Sequence, residues 1–269
     1  MCNGGSKKIV KEKYGDIARN FRPVTLSSCG CSTGCCSESG YTLFSEEYST
    51  LQGYVPEADL GLGCGIPTLF AGIKKGDTVV DLGSGAGNDC FIARSQTGEN
   101  GKVIGIDMTP EMVERAKNNA RKYGFPNVDF LLGEIENIPL PENFADVVIS
   151  NCVLNLVPDK YTAFREIFRI LKTGGHITAS DIVLSGELPE SLLRNAEMYA
   201  GCVSGAIEEV LYFYLLNKAG FENIAVLKKV QINLPDELLQ EVLTNEELER
   251  YRLSGAGIFS ITFRAEKPR

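Results

Sequence analysis

The sequence predicts an α/β fold whose central sheet is mostly parallel and covered by helices on both faces. Three observations predict it. Short apolar runs alternate with helical segments from residue 77 to residue 184. The first run leads into the glycine-rich loop GSGAGN, which opens a helix. The second run ends in a carboxylate, Asp107, which lies 26 residues after Asp81 at the end of the first. A flexible cysteine-rich segment (1–60) is expected before this domain (61–185), and a small α+β domain (186–269) after it.

The elements follow in order. Residues 7–20 form an amphipathic helix, with Ile9, Val10, Tyr14 and Ile17 at helical spacing. Residues 27–40, SSCGCSTGCCSESG, read as a flexible loop. DLGLGCG (59–65) is a glycine-rich turn. DTVVDL is the first strand, Asp89–Gln96 a helix, and KVIGID the second strand. Thr109-Pro110-Glu111 opens the next helix, with Thr as cap, Pro in the first turn and Glu at the positive helix end. That helix stops at Gly124. VDFLLG and ADVVIS are strands three and four, and YTAFREIFRIL is a helix ended by Thr173-Gly174-Gly175. HITASDIVL is the fifth strand. Further on, Glu190–Ala200 and Glu208–Ala219 read as helices, and Phe221–Val230 and Ile258–Phe263 as strands. These last elements either form a separate small domain or complete the first sheet.

Composition is that of a globular chain with ample apolar material, 43% hydrophobic and 23% charged. The net charge of −8 argues against nucleic acid or an anionic membrane as the main partner, since phosphate binding needs a basic face. No apolar run approaches the roughly 18–20 residues of a membrane span. Met1–Val10 has two lysines and no apolar stretch after them, so no signal peptide is expected and the location is cytoplasmic.

The loop Asp81-Leu82-Gly83-Ser84-Gly85-Ala86-Gly87-Asn88-Asp89 carries the clearest chemistry. Its G-x-G-x-G spacing lacks the third glycine of the dinucleotide fingerprint. Asp81 would repel a pyrophosphate and welcome an ammonium, and Asp107 is placed to accept from a ribose diol. A ligand with a ribose, a positive charge and no phosphate suits this set. S-adenosylmethionine (SAM) fits, and NAD does not. Gly83, Gly85, Gly87 and Asn88 are expected to cradle it, between Asp81 and Asp107.

Nine cysteines are many for this length. A reducing compartment disfavours structural disulfides. Cys90, within an apolar run, reads as a small buried hydrophobe. Cys29, Cys31, Cys35 and Cys36 lie among Ser and Gly with nothing apolar to pack on, which points to a thiol function. Cys152 follows strand four at the ligand-binding edge of such sheets. Cys64 and Cys202 are flanked by glycines, which suggests close backbone approach. Three cysteines on three loops suggest a converging thiolate site. Four ligands would suit zinc, and three would suit trivalent arsenic or antimony. The spacings are not those of structural zinc sites. A small organic acceptor beside a structural thiolate metal site is the alternative. The single histidine, His176, reads as structural.

The segments KEKYG (11–15), GLGCG (61–65), DLGSGAGNDC (81–90), GIDMTPEMVERA (105–116), GEIENIP (133–139), SNCVLNLVPDK (150–160), SDIVLSGELPE (180–190) and YAGCVSGA (199–206) together resemble the arsenite SAM methyltransferases. The resemblance implies a Rossmann-like class I methyltransferase sheet. It implies that Met108 packs on adenine, that Glu134 and the Ile135 backbone meet the adenine edge, and that Asn151 lies beside the methionine part. The Tyr14-Gly15 element would close over SAM. As(III), not zinc, would be bound by Cys64, Cys152 and Cys202, with a fourth ligand from the Cys35-Cys36 pair, Cys36 preferred. The thiolates would hold arsenic as a pyramid with its lone pair aimed at the SAM methyl, so no general base is needed. The substrates would be arsenite and methylated arsenicals, in arsenic detoxification. Two electrons would return the product to As(III), through a disulfide of Cys64 with Cys35, Cys36 or Cys152. An external thiol reductant, thioredoxin or glutathione, would reset it. Ile66 departs from the pattern of the family, in which many relatives carry a polar Asn there.

Overall fold

The computed structural model describes residues 3–21, 47–186, 188–189, 205–232, 236–254 and 256–269. Cys35, Cys36, Cys202 and the helix expected over 190–200 lie outside the described residues. The element order is α1 (Asn3–Asn20), β1 (Thr78–Leu82), α2 (Asn88–Thr97), β2 (Lys102–Asp107), α3 (Pro110–Tyr123), β3 (Val128–Leu132), β4 (Ala145–Asn151), α4 (Lys160–Ile170), β5 (Leu171–Ser185), α5 (Glu209–Lys218), β6 (Glu222–Ile232), α6 (Asp236–Val242), α7 (Asn245–Ser254) and β7 (Gly257–Glu266).

The sheet has seven strands in the order β3-β2-β1-β4-β5-β7-β6. Strands β1 to β5 are parallel, and β7 pairs antiparallel with both β5 and β6. Of the two arrangements open for the C-terminal strands, the chain takes the second. β6 and β7 extend the first sheet, so the expected division at 185/186 has strands of one sheet on both sides.

Burial on both faces explains the uninterrupted apolar strands. Val79, Val103 and Val147 are register partners and belong to a cluster packed with Phe91 of α2 and Val113 of α3. Val80, Ile104 and Val148, one residue on in each strand, face the other way and pack with Phe164 of α4 and Tyr212 of α5. Period two with both faces covered leaves no polar side to the strand.

One boundary and one cap are decided by contacts other than those expected. Helix α4 ends at Ile170, before the Thr173-Gly174-Gly175 stop, because Leu171 already pairs with Ala145. The register then shifts, and Gly174, at φ 79°, takes up the extra chain before His176 pairs with Val147. Thr109 does stand at the cap of α3, but its side chain makes no cap bond. The Asp107 carboxylate instead accepts the Thr109 N–H at 2.8 Å. His176 has the structural role expected. Its Nε2 lies 2.6 Å from the Ala71 carbonyl, and burial holds the imidazole below its ordinary pKa, in the neutral form.

The order of the parallel strands reverses between β1 and β4. In open α/β sheets a ligand crevice forms beyond the carboxyl ends of the strands at such a point. Leu82, Asp107 and Asn151 all end their strands there.

Candidate active site

Two adjoining cavities, about 620 and about 570 Å³, open at this edge, and Tyr14, Gly83, Asp107 and Val153 line both. The larger is polar and acidic, with Asp59, Asp81, Asp89, Asn88, Asn151 and Cys152 among its lining. The other is flanked by Ile106, Met108, Ile135 and Leu156, with Glu134 at its rim. One cleft thus has a polar end suited to a charged amino-acid group and an apolar end suited to a flat base.

The glycine loop builds its floor. Gly83, Gly85 and Gly87 all take positive φ, at 71°, 51° and 99°. The requirement is plainest at Gly83, where a Cβ would stand 2.2 Å from a methyl of Val153. Valine cannot swing away, because its branched Cβ is rotamerically stiff. Gly83→Ala should therefore cost about 1–3 kcal/mol of stability and weaken SAM binding. Urea unfolding and a SAM titration check both, and a variant with wild-type values would show the loop to be slack.

Asp107 ties the loop to β2. One carboxylate oxygen accepts from Gly85 N at 2.9 Å and the other from Thr109 N at 2.8 Å. Asp81 is 2% exposed, and Cys90 on α2 donates its S–H to it at 3.2 Å. Cys90 is therefore more than the buried hydrophobe expected, since it touches the acid that precedes the loop. Burial, then the neighbouring Asp89 and Asp107, push the Asp81 pKa well up. Burial pushes Asp89 up to about 6, against hydrogen bonds from Asn151 and Tyr48. Buried carboxylates that repel one another make a cleft that favours a cation.

Asn151 joins this cleft to a thiol. Its amide nitrogen lies 2.6 Å from Tyr48 Oη, 2.8 Å from the Gly65 carbonyl and 3.0 Å from Asp89, three acceptors that share its two N–H groups. Its oxygen accepts the Cys64 backbone N–H at 3.1 Å. The GLGCG turn sits so close to β5 that a Cβ on Gly65 would fall 2.5 Å from Ser180 Oγ. The close approach inferred from the glycines around Cys64 is present. Ser260 of β7 donates to the Cys64 carbonyl at 2.6 Å. Cys152 follows β4 with φ 57°, its N–H held by Ser180 at 2.8 Å. Cys64 and Cys152 are both buried and share one apolar cluster, against which Tyr14 and Met108 pack. Ile66, the departure from the family, is buried with Tyr48 and Ile92.

Helix α1 lies along the cleft and is fastened at both ends. Lys7 bridges Glu134 and Glu136, each at 2.8 Å. Arg19 pairs with Glu111, and Arg115 donates to the carbonyls of Ala18 and Phe21 at 3.1 and 3.2 Å. The Glu134 carboxylate is thus already engaged by a lysine.

Residues 73–241 match the family model described as a methyltransferase domain. The arsenite methyltransferase of Halobacterium salinarum is 37% identical over 271 residues, covering 98% of this chain and 67% of that protein. That of Mus musculus is 33% identical over 277 residues, covering 97% of this chain and 69% of that one. The crystal structure of an arsenic(III) S-adenosylmethionine methyltransferase from Chlamydomonas reinhardtii superposes with a TM-score of 0.66 at 35% identity, over 77% of this chain and 68% of that one.

The chain belongs to the arsenite methyltransferase family. The fold is accordingly that of a class I, Rossmann-like methyltransferase, and the cofactor is SAM. The cleft suits a SAM-dependent methyltransferase on its own terms. Its floor is left open at Gly85, where a Cβ would meet nothing within 4 Å. Among the described residues, Ser84 Oγ and Asn88 Oδ1 are buried without a hydrogen-bond partner, as a site shaped for a polar ligand leaves them. No helix among the described residues is long and apolar enough to cross a membrane.

The sequence reading of this methyltransferase site missed Tyr48 and Asp89 as site residues. Asp89 stood inside the glycine motif, a carboxylate in the first turn of the helix that the loop opens, and that position was a usable signal. Tyr48 reaches Asn151 across 103 residues of sequence and has no local signature.

Proposed function

We propose that this chain transfers a methyl group from SAM to trivalent arsenic held by the thiolates of Cys64, Cys152 and Cys202, with a fourth thiol from Cys35 or Cys36. The observation that carries the reading is Asn151, which lines the acidic cavity and also holds the Cys64 backbone. It places a thiol-bearing loop against the end of the cleft where Asp81 and Asp89 would receive a cationic amino acid.

SAM, when bound, supplies an electrophilic methyl group on a sulfonium. Asp81 and Asp89 would hold its ammonium, Asp107 its ribose, and Met108 and Ile135 would flank the base. At any one time three of these thiols would replace the three hydroxyls of arsenite and fix a pyramidal As(III) whose lone pair attacks in line. An arsenic–carbon bond forms as the carbon–sulfur bond breaks. Alignment of this kind contributes up to about 7–11 kcal/mol. The nucleophile is a lone pair without a proton, so no side chain has to act as base. Methylation formally oxidises arsenic, and two electrons return from thiols that close a disulfide, Cys64 with Cys35, Cys36 or Cys152. Thioredoxin or glutathione, in a reducing cytoplasm, then restores the thiols. Arsenite and methylated arsenicals are the substrates, and detoxification is the outcome.

The test is direct. The protein is incubated with arsenite, SAM and a thiol reductant, and the products are read by mass spectrometry. Methylated arsenicals and S-adenosylhomocysteine are expected. SAM binding without any methylated arsenical would overturn the reading.

A further inference from the structure

The segment that carries Cys152 ends in a lysine to which methyl transfer assigns no part. Lys160 opens α4, where the positive end of the helix dipole disfavours a cation. The helix needs nothing from it, because Asp159 already caps the turn by accepting Thr162 N at 3.0 Å. The residue is 8% exposed, and burying an ammonium costs more than burying an apolar side chain of the same length. The sequence nevertheless keeps a lysine there, and its Nζ donates to three carbonyls. Asn155 O lies at 3.0 Å, Val157 O at 3.2 Å and Gly205 O at 2.9 Å. An ammonium has three N–H groups to place.

The three carbonyls belong to two chain segments. Asn155 and Val157 lie in the turn that follows Cys152. Gly205 lies 45 residues beyond Lys160 and three after Cys202 in the sequence. Asp181, fully buried on β5, is pushed up to about 7 by burial, against the pull of Lys160, and accepts from Tyr212 at 3.0 Å. Asp181 directly follows Ser180, whose carbonyl holds the Cys152 N–H. Burial and the Asp181 carboxylate hold the Tyr212 hydroxyl well above its ordinary pKa. Lys160 lines neither of the cofactor cavities.

We propose that Lys160 is a positioning residue of the arsenic site, clamping the turn after Cys152 to the segment at Gly205 and so fixing the spacing of the thiols those two segments bring. The proposal rests on the reading of Cys152 and Cys202 as arsenic ligands. A double-mutant cycle separates the two ideas. Arsenite affinity is read from the arsenic–thiolate charge-transfer absorption for wild type, Lys160→Met, Cys202→Ser and the double variant, and SAM affinity by calorimetry for each. Lys160→Met should weaken arsenite binding by at least about tenfold and leave SAM affinity within about twofold. In the Cys202→Ser background the same change should have almost no further effect, because the clamp then has no second thiol to place. An equal loss in both backgrounds, with Cys202→Ser itself impaired, would mean a general structural role and would overturn the clamp alone. Wild-type arsenite affinity in Cys202→Ser would remove the ligand reading and the clamp with it. Should Lys160→Met not fold, Lys160→Gln takes its place in the cycle, since its amide keeps two donors for the carbonyls. Failure of that variant to fold would also overturn the proposal.

Discussion

Cys152→Ser should abolish methylation of monomethylarsonous acid while leaving SAM affinity near wild type. The hydroxyl is a hard, weakly acidic donor and does not replace a thiolate on a soft metalloid. The backbone at this position tolerates the change, because the N–H bond to Ser180 and the φ of 57° do not depend on sulfur. The loss is therefore one of ligation and not of fold. Misplacing a reacting atom by about an ångström already costs about 100-fold, and losing the ligand should cost more. Cys202→Ser should behave alike. Either variant with wild-type turnover in a mass-spectrometric assay of dimethylated product would mean the site is misassigned. Cys64 has a second duty in this scheme, the return of electrons. Cys64→Ser should impair the first methylation at least as much as the second, and a defect confined to the second step would contradict that duty.

The parts legible in the sequence are those set by local patterning. Strands β1 to β4 and helices α2 and α3 follow from apolar runs, caps and glycine stops within one stretch of chain. The glycine loop and Asp107 placed the cofactor cleft for the same reason. What escaped was decided by contacts distant in sequence. β7 enters the sheet between β5 and β6, against chain order, and only pairings such as Ser180 with Thr262 reveal it. The fastening of α1 by Lys7 and Arg19 depends on carboxylates more than 90 residues away. Helices α6 and α7 went unread because their apolar stripe is thin, yet one signal was there. Thr244 and Glu247 form a reciprocal capping box, Glu247 accepting Thr244 N at 2.9 Å and donating its own N–H to the threonine hydroxyl at 3.3 Å. For the thiols, position in sequence marked Cys64 and Cys152, and their common burial in one cluster needed the fold.

Asp81→Asn should make the ligand-free protein more stable and the enzyme inactive, two effects of opposite sign from one charge. Asp81 is buried beside Asp89 and Asp107, and its pKa lies well above the ordinary value of about 3.9 because burial and those neighbours oppose ionisation. A carboxyl whose folded pKa is raised takes up protons more readily in the folded state than in the unfolded one. Its contribution to stability therefore falls as pH climbs past the unfolded value toward the folded one. Asparagine removes that loss, so the melting temperature of the variant should exceed that of wild type by a margin that widens from about pH 4, near the unfolded carboxyl value, to about pH 7. The cation pays the difference in the native enzyme, since a bound ammonium favours the ionised carboxylate. Removing one member of a buried, hydrogen-bonded charge pair costs about 2–5 kcal/mol, so SAM affinity should drop by roughly 30-fold or more. The same linkage sets the pH dependence of the wild type. Burial pushes the Asp89 carboxyl up to about 6, so SAM affinity should decline as pH falls through that value, by up to about tenfold per unit for each proton displaced. Calorimetric titrations from pH 5 to pH 8, a span of about three units around that midpoint, read both effects. A flat profile together with unaltered SAM affinity in Asp81→Asn would show that these carboxylates do not receive the ammonium.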